Sequence, residues 1–536
     1  MINPYALFSR KNKYKKKDNF SDEWDKIKDE SYDFDSIEYY FKKKEHKSLL
    51  QAINSKTIND IDLHELFMFI DRTNSKVGQQ YLLNRLFTIN TPLSFDSQER
   101  LIKYFNENEG ARRKVRKILS KLHKHEAYYI SDLFLTEYVQ KPKWFWAIPV
   151  MSVLSITAFV ATFFIPKMLL FLILFLIMNF IFHYWNKLNI YAYIDSIPQL
   201  LILCKIAREL TKAGIPDTSV NSKNILSSVK SINSLKSDLS VFNLEAMNNG
   251  NDFVAIVLYI VELFKILFLI EPQIVFSALK KLEKKRSDIQ TLFEYVGEID
   301  ATISIASLRA TTPCWCQPVF YNKSKCLIVK DIYHPLIINA VSNTLDVGDK
   351  SILLTGSNMS GKTTFIRTIA VNTLLAQTIN MAFATTFELS PMRLFSAIRI
   401  SDDLLNDKSY YMEEVEIIKT MIDESQSKNR NIFFLDEIFK GTNTIERIAA
   451  GKAVLSYLSA GDNIVFVSTH DIELAPLLSD SYSLYHFTEI VDNNTIHFDY
   501  KLKPGKFSTK NAIRILEISN YPAQIIDEAR KISGSH

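Results

Sequence analysis

Ser351-Ile-Leu-Leu-Thr355-Gly356-Ser-Asn-Met-Ser-Gly361-Lys362-Thr363-Thr364 decides how the C-terminal third of this chain folds. An apolar run of strand length breaks at Gly356, closes on Gly361-Lys362-Thr363, and opens a helical pattern from Thr364 to Leu375. The spacing is G-x-x-x-x-G-K-[ST], a phosphate-binding loop in the strand–loop–helix setting that the motif requires. Glycines let backbone N–H groups curl around phosphates, and the helix N-terminus adds a favourable dipole. Gly356, Ser357, Asn358, Met359, Ser360, Gly361, Lys362, Thr363 and Thr364 are therefore the candidate nucleotide contacts, with ATP and Mg²⁺ as the expected cofactors. Lys362 is expected on the β- and γ-phosphates and the Thr363 hydroxyl on Mg²⁺.

Two further strand ends supply the chemistry. Ile432-Phe-Phe-Leu-Asp436-Glu437 reads as a buried strand ending in two carboxylates, and Ile464-Val-Phe-Val-Ser468-Thr-His470 as another ending in a histidine. Open α/β sheets bind ligands outside the C-terminal ends of their strands, so these ends are expected to converge on one crevice. Asp436 joins Thr363 as a candidate metal ligand. Glu437 is the candidate catalytic residue that orients or deprotonates the attacking water, with Lys362 and His470 beside it. Short β-branched runs alternate with helical patterns after Thr311, which predicts an α/β domain with a largely parallel sheet.

Upstream the texture is helical, with leucines at helical spacing in 65–71 and 80–86. From Trp144 to Trp185 the chain is almost free of charge; Pro166-Lys167 divides it into two apolar runs of membrane-spanning length. Trp144, Trp146, Tyr184 and Trp185 would meet at one interface, and Lys141, Lys143 and Lys187 flank the outer ends while the turn holds Lys167 alone. The bias of basic residues places both termini, and the nucleotide domain with them, in the cytoplasm, anchored to the cytoplasmic membrane through residues 145–185. A third apolar run, Phe253 to Ile270, carries Glu262 and Lys265 and is read as a core helix. The expected division is 1–55, a basic and polar segment; 56–140 and 187–310, a helical core; 141–186, the hairpin; 311–505, the α/β domain; and 506–536, a C-terminal helical segment.

Bulk properties exclude other classes. Hydrophobic residues at 47% and charged residues at 23% fit a folded chain, and four cysteines (Cys204, Cys314, Cys316, Cys326) are too few for a disulfide framework or a paired zinc site. The net charge of +5 is mild for 536 residues, although Lys11–Lys17 and Arg112–Lys117 are locally basic and would suit an anionic partner. No apolar leader precedes residue 60.

Thr355-Gly-Ser-Asn-Met-Ser-Gly-Lys-Thr-Thr-Phe-Ile-Arg367 and Asp436-Glu-Ile-Phe-Lys-Gly-Thr-Asn-Thr444 resemble one family in particular, the MutS mismatch-repair ATPases of the ABC type, although Phe439-Lys440 stands where that family usually has Gly-Arg. Ser401-Asp-Asp-Leu404 with Ser409-Tyr-Tyr-Met412 is similar to the segment that presents a serine to the partner subunit's nucleotide, without the glycine that usually precedes it. Tyr333-His-Pro-Leu336 and Ser342-Asn343 look like the approach that borders the adenine, which implies a nucleotide contact at Val341; Tyr500-Lys-Leu-Lys-Pro-Gly505 and Ile518–Arg530 look like a dimerisation segment. Asp71-Arg-Thr-Asn-Ser-Lys-Val-Gly78 and Phe293–Ala306 resemble the two ends of the family's helical core.

The resemblance implies an ABC-type P-loop ATPase domain at the C-terminus, preceded by an all-α MutS-like core; the apolar run adds a transmembrane helical hairpin that interrupts this core. It also implies ATP hydrolysis, a homodimer with Ser409 acting in trans, and DNA as a partner. About 55 residues precede the core and show no Phe-x-Glu wedge, so mismatch-specific recognition is not expected of this chain. DNA contact would be to the backbone, through the basic run from Arg112 to Lys124. An ABC-type membrane ATPase with a transport or regulatory role unrelated to DNA is the alternative.

Overall fold

Ile352, Leu353 and Leu354 have no exposed surface, as a continuous apolar run demands when both faces of its sheet are covered. The computed structural model describes residues 24, 26–47, 49–91, 93–137, 142–219, 221–236, 263–322, 325–357, 360–399, 410–492, 495–505, 512–519 and 521–534. These strands are β1 (Leu49–Ala52), β2 (Thr88–Asn90), β3 (Val319–Phe320), β4 (Leu327–Ile332), β5 (Asn343–Asp346), β6 (Ser351–Gly356), β7 (Thr386–Leu389), β8 (Arg393–Ala397), β9 (Asn431–Asp436), β10 (Ile464–Ser468), β11 (Tyr482–Phe487), β12 (Glu489–Asp492), β13 (Thr495–Phe498) and β14 (Lys503–Pro504). The main sheet runs β14-β11-β6-β10-β9-β8, with β11 through β8 parallel and β14 antiparallel at the edge. A smaller sheet, β3-β7-β4-β5, is mixed. Parallel register places Ser468 beside both Leu354 and Asp436, so the ends of β6, β10 and β9 lie side by side.

The chain forms two compact units that do not follow sequence order. One holds 46–69, 85–95 and 311–536; the other holds 1–45, 70–84 and 96–310. Residues 56–140 were expected to be helical core throughout, but 56–69 and 85–95 pack with the sheet unit instead. The reason is a buried carboxylate. Asp60 ends the helix Ser55–Asp60 and accepts hydrogen bonds from Ser396 Oγ (2.7 Å), Ile398 N (3.0 Å) and Arg399 N (3.0 Å) just beyond β8, with Lys56 Nζ at 2.5 Å. Asp62, two residues on, pairs with Arg399 (2.8 Å) and with Arg367 (3.3 Å) on the helix that follows the phosphate loop.

The second unit is helical. The helix Arg286–Thr311 is buried along most of its length and meets the helix Lys76–Leu86 so closely that a Cβ on Gly78 would lie 2.2 Å from Asp300 Oδ2. The same unit carries the apolar helices Ala147–Thr162 and Met168–Thr211; the second continues for 44 residues, well past its apolar stretch. Segments 143–162 and 168–185 are long and apolar enough to cross a membrane, and only 22% and 11% of their apolar windows are buried. A core helix would bury far more. Trp144 and Trp185 meet edge to face at 4.5 Å, at the shared end of the two helices.

The third apolar run is only partly seen. Residues 253–262 lie outside the described residues, as do Lys11–Lys17; of the rest of the run, Ile266 and Leu269 are buried while Leu263, Phe264 and Ile270 are exposed. The basic run on the helix Glu109–Leu119 is also less available than its sequence suggests. Arg112 stacks over Trp24, Arg113 pairs with Glu109, Arg116 is buried and donates to Asn74, and Lys121 pairs with Glu209.

Candidate nucleotide-binding site

Two glycines shape the loop between β6 and the helix Lys362–Ile379. Gly356 sits at φ 140°, and a Cβ there would meet the Phe487 carbonyl at 2.5 Å; Gly361 sits at φ 104° and caps the helix. Neither conformation suits a side chain. Lys362 is buried and curls back to donate to the carbonyls of Gly356 and Ser357, both at 2.8 Å, so its ammonium lies inside the loop. Burial pulls that ammonium down to about 8, against the opposing pull of the Asp436 carboxylate. Ser360 is buried and its hydroxyl donates to Ser357 O (2.8 Å). Asn358 and Met359 lie outside the described residues.

A group that binds phosphate as a cation but loses its proton near pH 8 gives a signed prediction. Phosphate stabilises the charged form, so nucleotide binding raises this pKa; affinity is then full below pH 8 and falls as pH rises through it, approaching tenfold per unit. Nucleotide titrations at pH 7 and pH 9 measure it, and equal affinities at both would overturn it.

The two carboxylates at the end of β9 are held by their neighbours. Asp436 accepts from Thr363 Oγ1 at 2.7 Å and from Ser468 Oγ on the adjoining strand. Thr363 and Asp436 thus present two hard oxygens to one point, a donor set that fits Mg²⁺, which keeps most of its waters. Glu437 stands at φ 53°, fixed by its N–H to Ser468 O (2.9 Å), and its two oxygens face different partners: Oε1 lies 2.6 Å from His470 Nε2, Oε2 against Lys440. Burial, reinforced by the Lys362 and Lys440 charges, holds His470 below its ordinary range. It is therefore neutral at pH 7, and the short contact is an imidazole N–H donated to the carboxylate rather than an ion pair.

Phe439, where the resembled family has glycine, adopts φ 58°, and its N–H is captured by the buried Glu414 at 2.5 Å. A left-handed non-glycine residue costs about 1–2 kcal/mol, while a buried Phe contributes about 3–5 kcal/mol. Burial wins. Phe439→Gly is expected to destabilise the protein by about 2 kcal/mol, read from denaturant unfolding; a stabilised variant would show that strain dominates.

Beside the loop lies a cleft of about 340 Å³ lined by His334, Val341, Asn343, Thr364, Phe487 and Tyr500, among others. It is half apolar and wide enough for a nucleoside. The structure therefore brings together Gly356, Ser357, Ser360, Gly361, Lys362, Thr363, Thr364, Val341, Asp436, Glu437 and His470; Ser409 lies outside the described residues. Four participants were not singled out from sequence. Ser468 grips Asp436, and its position at a parallel strand end was a usable signal. Tyr500 lies over Gly361, 3.1 Å from where a Cβ would stand, and Glu489 accepts from Ser357 Oγ at 2.7 Å; both arrive from β12–β13 and the chain beyond, which no local pattern ties to the loop. Glu414 is invisible for the same reason.

Known proteins match this half of the chain. Residues 352–535 match the family model for MutS domain V, the ATPase domain of that family. DNA mismatch repair protein MutS of Caldanaerobacter subterraneus subsp. tengcongensis is 26% identical over 264 residues, 47% of this chain and 30% of that protein. The MutS proteins of Bacillus mycoides and Thermus thermophilus are 28% and 26% identical, over 46% and 48% of this chain and 28% and 32% of theirs. The sheet domain from residue 352 onward is thus of the MutS domain V class. The chain spans about 30% of the length of the curated relatives it matches.

Proposed function

We propose that this protein is a membrane-anchored MutS-family ATPase that works as a homodimer and converts ATP binding and hydrolysis into a conformational signal. The observation that carries the reading is the convergence of Lys362, Thr363, Asp436, Glu437 and His470 at three adjacent parallel strand ends. In it the loop N–H groups and Lys362 would hold the phosphates, Thr363 and Asp436 would hold Mg²⁺, and Val341 with Tyr500 would border the base. Mg²⁺ would neutralise charge developing on the phosphates. Glu437 takes the proton of the attacking water, and neutral His470 holds that carboxylate in place with its single N–H. Ser409 would complete the partner subunit's site. The apolar helices anchor the protein in the cytoplasmic membrane with both termini inside, on the argument of the flanking lysines.

DNA is the expected regulator, contacted through its backbone. The test is ATPase activity of nanodisc-held protein with no DNA and with duplex, mismatched or branched DNA, beside Glu437→Gln. Turnover that rises with DNA and disappears in the variant supports the reading. Turnover indifferent to every DNA, yet abolished by the variant, keeps the ATPase and removes DNA, leaving a transport or regulatory role.

A further inference from the structure

The membrane element holds more than two helices. Residues 263–268 are helical and break at Leu269, which adopts φ 47°, before the helix Ile270–Glu283 begins. A break leaves the last carbonyls of the first helix without intrahelical partners. Here they are capped from the apolar helices: Asn179 Nδ2 donates to Leu267 O at 2.6 Å and to Ser155 Oγ at 2.8 Å, and Ser152 Oγ donates to Phe268 O at 2.6 Å. Asn179 and Ser155 are fully buried inside helices that otherwise expose apolar side chains. Polar residues at such positions are costly unless they satisfy something.

Three rulers agree on the depth of this junction. Trp144, Phe145 and Trp185 gather at the cytoplasmic end of the hairpin, where Phe276 packs against Phe145 at 4.8 Å and Trp185 at 6.4 Å. At 1.5 Å per residue, Ser152 lies roughly 12 Å beyond Trp144, Asn179 roughly 9 Å before Trp185, and Ile270, just past the break, roughly 9 Å before Phe276. The break is therefore about a third of the way into a ~30 Å hydrocarbon layer. The helix ahead of it goes deeper. Phe264 and Phe268 pack on Phe159 at 6.5 and 5.9 Å, and Phe159 is roughly 22 Å from Trp144 along its helix. Leu263, Phe264 and Leu267 also line an apolar cavity of about 280 Å³ with Leu172, Ile173 and Leu176, near the far turn. Leu263 and Phe264 are 54% and 44% exposed there, which water would penalise and lipid would not.

We infer that residues 263–269 form a third bilayer-embedded element, whose partner at Leu263 and Phe264 is lipid hydrocarbon, whose broken end is sealed by Ser152 and Asn179, and whose one charge, Lys265, is half-buried and partnered within the protein. The inference rests on the hairpin being in the membrane. In hydrocarbon no water can take over an uncapped carbonyl, so the seal is what makes a mid-layer break tolerable. Helix Ile270–Glu283 then leads from the break back past the aromatic belt.

The test is power-saturation electron paramagnetic resonance on protein in phosphatidylcholine liposomes, with Cys204, Cys314, Cys316 and Cys326 replaced by alanine and one nitroxide per variant. Phe264→Cys is the site, Leu263→Cys a second copy of the question, Leu170→Cys the lipid reference and Lys419→Cys the aqueous one. Oxygen access exceeding nickel-chelate access at 264 and 263, as at 170, is the expected result. Aqueous behaviour at 264 and 263 with lipid behaviour at 170 overturns this inference and leaves the hairpin standing; aqueous behaviour at 170 removes the hairpin and this element together.

Discussion

Replacing Glu437 with glutamine is expected to lower ATP turnover by about 10²–10⁴-fold while nucleotide affinity changes little, because the variant loses a proton acceptor and keeps a side chain of the same shape. The amide oxygen can still accept from His470 Nε2, which lies 2.6 Å from the present carboxylate. Only the attraction of Lys440 is lost. That lysine is more than half exposed, and an ion pair so open to solvent contributes about 0–1 kcal/mol, so the fold should not notice. The pairing does bear on mechanism. Both carboxylate oxygens are engaged, so a water to be activated must displace one partner, and the exposed ammonium is the easier to move. Steady-state kcat, binding of a fluorescent nucleotide and Tm, measured together, separate the possibilities. Near-normal kcat with normal binding would remove Glu437 from the reaction; loss of binding would make it structural.

What was legible in the sequence is what is local. β6, β9 and β10 were readable because each is a short apolar run bounded by turn residues, and the turn from Gly356 to Lys362 because its glycine spacing is a geometric requirement. Parallel register then brings their ends together without further instruction. What was not legible depends on contacts far apart in the chain. Asp60 looks like an ordinary acidic helix residue, yet its partner Ser396 is 336 positions away, and this contact carries 46–69 into the sheet unit. Glu489 reaches Ser357 over 132 positions. The hairpin's length and apolarity were plain, while the role of Asn179 was not, since its acceptor belongs to another segment. The basic helix shows the same limit: sequence counts charges, but only packing shows that Arg112 and Arg116 are engaged by Trp24 and Asn74 while Lys114, Lys117 and Lys124 stay exposed.

Asp300→Ala is expected to cost the helical unit about 3–5 kcal/mol, the largest stability loss foreseen for a single side chain outside the nucleotide site. Asp300 is fully buried in the helix Arg286–Thr311 and caps the start of the helix Lys76–Leu86. Its carboxylate accepts from Asn74 N (2.8 Å), Ser75 N (2.8 Å), Ser75 Oγ (2.6 Å) and Asn74 Nδ2 (2.9 Å). Alanine would leave those donors buried without an acceptor, at about 1–3 kcal/mol each before relaxation. Burial outweighs the hydrogen bonds and raises this carboxyl above its ordinary range. A raised acid contributes stability that is complete below its unfolded pKa and is lost as pH rises through the folded one. Asp300→Asn, which cannot titrate, should therefore cost more at pH 4 than at pH 7. Gly78→Ala attacks the same junction from the other side, since its Cβ would stand 2.2 Å from Asp300 Oδ2. If the two residues form one contact, the double variant will cost clearly less than the sum of the singles. Denaturant unfolding of detergent-held protein at both pH values reads all of this, and additive losses with no pH dependence would show that Asp300 is merely packed there.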